Sequence, residues 1–300
     1  MLYRNLSGYF REKYGQRLGK ICIDGGFSCP NRDGRCGTGG CIYCGERGAG
    51  EHINPTLSIG EQVRAALSEA EADDMFVAYF QNFTNTYADV EVLKERYDAA
   101  LIDERIRVLA IGTRPDCIDE NICRLIASYK DKVDVWVELG LQTASDKTAD
   151  IINRGYHKDA FEQAMALLSR YEIGVCVHLI VGLPGEGLAD IKDTCKYLSR
   201  FGIWGIKIHS IYVMRGTRLA EMYERGEYTP PSLAEYVEGA VYILTHISPL
   251  TVVHRLTGDC PEGMLLAPAW NRGKHEVINA IVSRMTMLGC EQGSYYGKKC

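Results

Sequence analysis

Four cysteines, Cys29, Cys36, Cys41 and Cys44, fall within sixteen positions of a segment that also holds Gly25, Gly26, Gly34, Gly37, Gly39 and Gly40. So much glycine works against a helix or a packed layer, because it loses the most backbone freedom on ordering and offers no side chain to bury. Packing therefore accounts poorly for these thiols, and ligation accounts for them well. Cys41 and Cys44, two residues apart, can turn both sulfurs to one metal centre. The glycines can reach φ > 0 and expose backbone N–H groups to sulfide. The chain has 12 cysteines in 300 residues, too few for a disulfide-stapled secreted scaffold but many for an enzyme of a reducing compartment.

Two metal chemistries compete for the loop. Structural zinc takes four ligands, commonly from two C-x-x-C-like pairs or a Cys/His mixture. Here one such pair exists and His52 is the only nearby imidazole, so zinc on Cys29, Cys36, Cys41 and Cys44 stays an alternative. A [4Fe–4S] cluster on three cysteines leaves one iron open for chemistry.

The rest of the chain alternates β-rich runs with helical periodicity, the pattern of βα units around a parallel sheet. Strands are expected near Lys20–Asp24, Met75–Gln81, Arg107–Gly112, Val133–Leu141, Val175–Val181 and Gly205–Val213. Helices are expected near Ile59–Glu71, Val90–Ile102, Asp119–Tyr129, Lys158–Tyr171 and Leu188–Phe201. Ser58 with Glu61, and Ser232 with Glu235, have capping-box spacing, and the second marks a helix over Ser232–Ile247. Six units are fewer than the eight of a closed barrel, so the expectation is an α/β fold, a partial (β/α)6 barrel open on one side. A strand near Thr251–Leu256 and a helix near Lys274–Leu288 follow. The predicted division is a barrel over 1–213 and a packed C-terminal extension over 214–300.

With 46% hydrophobic and 24% charged residues the chain can bury a substantial core, which excludes disorder, collagen and coiled coil. No run of eighteen apolar residues exists and the first twenty residues are too charged for a signal peptide or anchor, so a cytoplasmic protein with no membrane partner is expected. The net charge of −5 is unevenly placed: +4 over residues 1–20, +3 over 270–300 and −12 between. The ends form either solvated basic faces or, where they meet, a local phosphate-binding patch.

The spacing Cys29-x11-Cys41-x2-Cys44 after the first strand resembles the radical S-adenosylmethionine (SAM) superfamily. KICIDGGFSCPNRDG, GTGGCIYC, YFQNFTNTYA, GTRPD, ELGLQTASDKTADIINRGYH, GLPGE and HRLTGD, in this order, resemble its YhcC/YtqA-type members, in the group that includes the elongator catalytic subunit. The resemblance spans nearly the whole chain. It implies a [4Fe–4S] cluster on Cys29, Cys41 and Cys44, with S-adenosylmethionine chelating the open iron and cleaved to a 5′-deoxyadenosyl radical. Cys36 departs from the pattern, and Cys36-x4-Cys41-x2-Cys44 is a second conceivable triple.

The same resemblance places Tyr43 beside the adenine, unless it only packs the loop. Gln81 and its Asn/Thr neighbours stand where many members carry Gly-Gly-Glu, and their amides can bond the methionine amino group or form a strand-end turn. Glu138 and Gln142 share one strand face by alternation, and polar groups directed into a barrel are costly unless bound. The resemblance gives Glu138 the amino group or ribose and Gln142 the ribose. Arg154 matches an arginine that pairs with the methionine carboxylate, and His178, Gly182, Lys207, His209 and Tyr212 fall where the nucleoside is held. His254, Arg255 and Asp259 of HRLTGD, followed by Cys260, are expected at the substrate end. Cys22, Cys117, Cys123, Cys176, Cys195, Cys290 and Cys300 are expected as buried small hydrophobes, an auxiliary cluster being the alternative.

The implied activity is hydrogen abstraction from an unactivated carbon, on tRNA, at the carboxymethylaminomethyl side chain on C5 of a wobble uridine. A low-potential electron donor such as flavodoxin or ferredoxin is implied as a partner. Because 300 residues are expected to hold no separate acetyltransferase domain, remodelling of an existing side chain is preferred to carboxymethylation. The alternatives are a radical enzyme acting on a small metabolite, and a non-catalytic iron–sulfur or zinc protein that binds RNA or senses redox state.

Overall fold

The computed structural model describes residues 2–48, 53, 54 and 56–298, so His52 and Cys300 lie outside the described residues. Seven strands, β1 (Leu18–Ile23), β2 (Met75–Phe80), β3 (Ile106–Thr113), β4 (Asp134–Gln142), β5 (Gly174–Val181), β6 (Gly205–Ser210) and β8 (Val252–Arg255), form one sheet in that order. Every neighbouring pair is parallel. Two short strands, β7 (Val213–Met214) and β9 (Leu265–Ala267), pair antiparallel outside it.

The helices are α1 (Leu6–Tyr14), α2 (Ile59–Ser68), α3 (Val90–Ala100), α4 (Glu120–Ala127), α5 (Asp146–Ile151), α6 (Lys158–Arg170), α7 (Leu188–Leu198), α8 (Arg218–Glu224), α9 (Leu233–His246) and α10 (Lys274–Met287). Both predicted capping boxes are formed, at α2 and α9. Among the described residues no helix is long and apolar enough to cross a membrane.

The sheet is buried on both faces, which is why its strands read as near-continuous apolar runs. One face, including Ile23, Phe80, Ile111, Leu139, Val177 and Ile208, packs with helix residues such as Val63, Leu93, Ile126 and Phe161 in the main core. The alternate residues, Val77 and Tyr79, Val108 and Ala110, Trp136, and Cys176, form a separate inner cluster with Phe10 of α1. That inner face is the barrel lumen.

The expected barrel holds, with two differences. The strand expected in the tail joins the barrel sheet as its seventh strand, beside β6, with Gly205 facing Val252 and Lys207 facing Arg255. Gly205 permits this approach, since a Cβ there would stand 2.8 Å from His254 Nε2. The sixth strand ends at Ser210 rather than Val213: the Ser210 hydroxyl bonds Asn271 and accepts from Gly258 N, tying the chain to the tail where it leaves the sheet.

Helix α1 closes the N-terminal end of the barrel. Asn5 caps it by accepting from Gly8 N at 2.7 Å, and Gly15 ends it in the left-handed region. Tyr9 meets Trp204 edge-on at 5.5 Å, Phe10 lies 6.3 Å from Trp136, and Lys13 pairs with Asp134 at 2.5 Å. Those partners stand at or next to the starts of β4 and β6, so the plug is an aromatic stack with one ion pair on its rim. Phe10→Ala is expected to lower stability by about 3–5 kcal/mol in urea unfolding; an unchanged midpoint would mean that α1 does not close the barrel.

Candidate active site

The cysteine loop is shaped by hydrogen bonds within it and to a distant turn. Asn153, at φ 51°, donates from Nδ2 to Gly40 O at 2.7 Å, Gly40 N donates to Asn31 O at 2.8 Å, and Ile42 N to Ile152 O at 3.0 Å. Ile42 is buried in a second apolar cluster with Ile152, Leu183, Ile211 and Leu219. With that side chain anchored, Cys41, Tyr43 and Cys44 line a cavity of about 270 Å³ together with Cys29. Cys36 does not line it: its residue is exposed and its Sγ lies 3.8 Å from Asp116 Oδ2.

The three cavity thiols fit a metal–sulfur cluster. The Cys41 thiol is held below its ordinary pKa by hydrogen bonds with Cys44 and Tyr43 and by the charges of Arg114 and Arg154, against the opposing effect of burial. Thiolate is the form that binds metal. The Arg114 guanidinium lies 3.9 Å from Cys29 Sγ. Gly40 takes φ 72°, and a Cβ there would stand 2.9 Å from Arg32 Nε, so the loop cannot close this way with a larger residue.

Gln81, Glu138, Gln142, His178 and Tyr212 line the same cavity, at or beyond the C-terminal halves of their strands, where barrel active sites form. Gln142 sits at a sheet irregularity with φ 60°, and its Oε1 accepts from Tyr156 OH at 3.2 Å. Glu138, expected to reach a ligand, already has protein partners. Lys207 Nζ donates to its Oε2, His178 Nε2 lies 2.8 Å from the same oxygen, and Trp136 Nε1 donates to Oε1 at 3.3 Å. The carboxylate is 2% exposed, yet Lys207 and the adjacent histidines outweigh burial and hold its pKa well below the usual range. Burial holds the histidines neutral: His178 and His209 are lowered, His254 to about 4.

Other expected residues stand elsewhere. Arg154 is behind the wall, its Nη1 donating to the carbonyls of Leu141 and Thr143 and its Nε to Tyr156 O at 3.0 Å. The arginines on the wall are Arg32 and Arg114, the latter paired with Asp116 at 2.7 Å and stacked 4.6 Å from the Tyr156 ring centroid. The signal for Arg114 was present in GTRPD, an arginine just beyond the C-terminal end of a barrel strand. Gly182 is packed, since a Cβ would meet Pro231 and Ile211 at 2.6 and 2.7 Å. His254 lies beneath Glu138, its Nδ1 3.7 Å from Oε1, and together with Arg255 borders a different cleft. Asp259 pairs with Arg255 at 3.0 Å, and Cys260 is half-buried outside the cavity.

Residues 33–198 match the family described as the Radical SAM superfamily, and residues 203–287 match the Radical SAM C-terminal domain. YtqA of Bacillus subtilis is 35% identical over 298 residues, covering 98% of this chain and 92% of that protein. A Methanocaldococcus jannaschii protein named tRNA uridine(34) acetyltransferase is 29% identical over 168 residues, covering 55% of this chain and 30% of its own. Among solved structures, Elp3 of Methanocaldococcus infernus aligns with a TM-score of 0.68 at 19% identity, covering 94% of this chain and 67% of that one, a likeness of fold.

Anaerobic reconstitution should load about four irons per chain. Cys29→Ala, Cys41→Ala and Cys44→Ala should each abolish loading while Cys36→Ala keeps it; loss in Cys36→Ala with retention in Cys29→Ala would reassign the triple. The buried histidines also predict a pH dependence. Their folded pKa values lie below the unfolded value near 6.5, so their contribution is complete above that value and is lost as pH falls towards the folded one. One unit below it, each imidazole held neutral gives up roughly 1.4 kcal/mol. Unfolding midpoints should therefore drop between pH 7.5 and 5.5, less steeply in His254→Gln; a flat profile would show that these rings are not held neutral.

Proposed function

Because the chain belongs to the radical SAM superfamily, we propose that Cys29, Cys41 and Cys44 hold its [4Fe–4S] cluster and that it remodels the carboxymethylaminomethyl side chain on C5 of the wobble uridine of tRNA. The observation that carries the reading is the convergence of three thiols and a polar barrel lumen on one cavity. The cofactors of the superfamily are this cluster and S-adenosylmethionine, which together supply a 5′-deoxyadenosyl radical able to take hydrogen from an unactivated carbon.

The chain's own residues meet the needs of such a site. Gln81 and Gln142 offer amides for an amino group and ribose hydroxyls, Tyr43 and Tyr212 offer aromatic faces, and Arg114, held by Asp116 and by the carbonyl of Arg154, sets a positive charge on the wall. Below them Glu138, Lys207 and His178 form a floor whose polar atoms satisfy one another. Lys207 also donates to Tyr79 OH at 3.0 Å and sits 4.4 Å over its ring, which fixes the ammonium away from the reacting space. Such a floor keeps bulk water from the cavity without leaving an unpaired charge in it.

The substrate assignment draws on the relative named for tRNA uridine(34), and on the openness of a seven-stranded barrel to an extruded nucleotide. A low-potential electron donor completes the proposal. Dithionite and S-adenosylmethionine should yield 5′-deoxyadenosine with the reconstituted protein, and tRNA from cells lacking the gene should show an altered wobble-uridine profile by mass spectrometry. An active cluster with an unchanged profile would overturn the tRNA assignment and favour a small-metabolite substrate; an intact cluster that forms no 5′-deoxyadenosine would overturn the radical chemistry.

A further inference from the structure

The two basic ends of the chain meet at the open seam of the barrel, between β8 and β1. Residues before α1 run alongside β8: Val253 N donates to Arg4 O at 2.7 Å, and Asn5 forms a parallel bridge with Val253. Gln292 ties down the other end, accepting from Arg4 N at 2.9 Å and donating from its own backbone to Leu2 O at 2.8 Å. A cleft of about 410 Å³ lies in this seam.

Five cations line it: Arg11 on α1, Arg17 before β1, Lys20 on β1, Arg255 on β8 and Lys274 at the start of α10. Among the described residues no carboxylate is in the lining. Arg11, Arg17 and Lys20 have no ion pair among the described residues, while Arg255 and Lys274 share Asp259 at 3.0 and 3.7 Å. Desolvation and the charge of Lys207, joined by that of Arg255, outweigh the opposing charge of Glu138 and lower the Lys20 pKa to about 8.

A second, independent feature is the set of unsatisfied atoms. The hydroxyls of Ser7 and Thr257 are buried with no hydrogen-bond partner among the described residues, and both residues line this cleft. Thr257 is 1% exposed. A buried hydroxyl left unpaired is costly, so two in one basic cleft point to a ligand rich in acceptor oxygens. Phosphate is such a group: its oxygens accept from guanidinium, ammonium and hydroxyl alike.

The cleft adjoins the catalytic cavity across one layer of side chains. Lys20 Nζ is 4.9 Å from the Tyr79 ring centroid and His254 Nδ1 is 3.7 Å from Glu138 Oε1, and Tyr79 and Glu138 both line the catalytic cavity. We propose that this seam cleft binds backbone phosphates of the nucleic-acid substrate and thereby positions the strand beside the opening of the barrel. This rests on the tRNA reading above.

The test is binding of tRNA carrying a carboxymethylaminomethyl wobble uridine to the cluster-loaded protein across a salt series, for wild type, Arg17→Gln, Lys274→Gln and the double variant. Each lost phosphate contact should reduce the slope of log K against log salt by about 1, and the double variant should bind about tenfold more weakly at low salt. Arg17→Lys should keep the slope, and formation of 5′-deoxyadenosine in the absence of RNA should be unchanged in all variants. Wild-type binding whose affinity and salt slope the glutamine variants share would overturn this inference and leave the substrate reading standing. A wild type that binds no tRNA, whether or not it binds inorganic phosphate, would overturn both.

Discussion

The interior of the barrel depends on one buried ion pair, Lys207 with Glu138, which joins β6 to β4 across β5. Two charges buried away from water are stable only together, and removing one partner of such a pair typically costs about 3–5 kcal/mol because the other is stranded. The pair orders its neighbours. Glu138 takes His178 on one oxygen and Trp136 on the other, Lys207 takes Tyr79, and His254 fits beneath, edge-on to both Trp136 and Trp204. The resulting layer separates two spaces of different character, a thiol-bearing cavity on one side and a cationic seam on the other.

Above that layer, the cysteine loop owes its form to the turn after α5. Asn153 and Ile152 hold its backbone and Ile42 anchors its apolar side, so the sulfurs of Cys29, Cys41 and Cys44 face inwards while Cys36 is left at the surface. Below it, α1 plugs the barrel with aromatics, and the segment before it binds β8. The chain thus puts its most reactive groups at the C-terminal ends of the strands and its structural aromatics at the other end, as barrels generally do.

Much of this was legible in the sequence for identifiable reasons. Parallel strands buried on both faces write themselves as apolar runs, capping boxes are local, and a glycine-rich loop with closely spaced cysteines has few other uses. Alternation put Glu138 and Gln142 on one strand face, and both line the cavity, Gln142 at a sheet irregularity with φ 60°. What was not legible involves contacts across long separations. Nothing local tells that Lys207 meets Glu138, 69 residues away, or that Arg114 rather than Arg154 stands on the cavity wall. The seventh strand was visible as a strand, but its place beside β6 rests on Gly205 making room for His254. The basic ends were visible as charge alone, and their meeting emerges from the bonds of Gln292 to Leu2 and Arg4 and the bridge between Asn5 and Val253.

The central claim is that Cys29, Cys41 and Cys44 carry an iron–sulfur cluster with a coordination position left for S-adenosylmethionine. Electron paramagnetic resonance of the anaerobically reconstituted, dithionite-reduced protein tests this most directly. A reduced-cluster signal that shifts on adding S-adenosylmethionine, present in Cys36→Ala and absent in Cys41→Ala, is the predicted result. A zinc-loaded protein without an iron signal, or a cluster signal indifferent to S-adenosylmethionine, would contradict it.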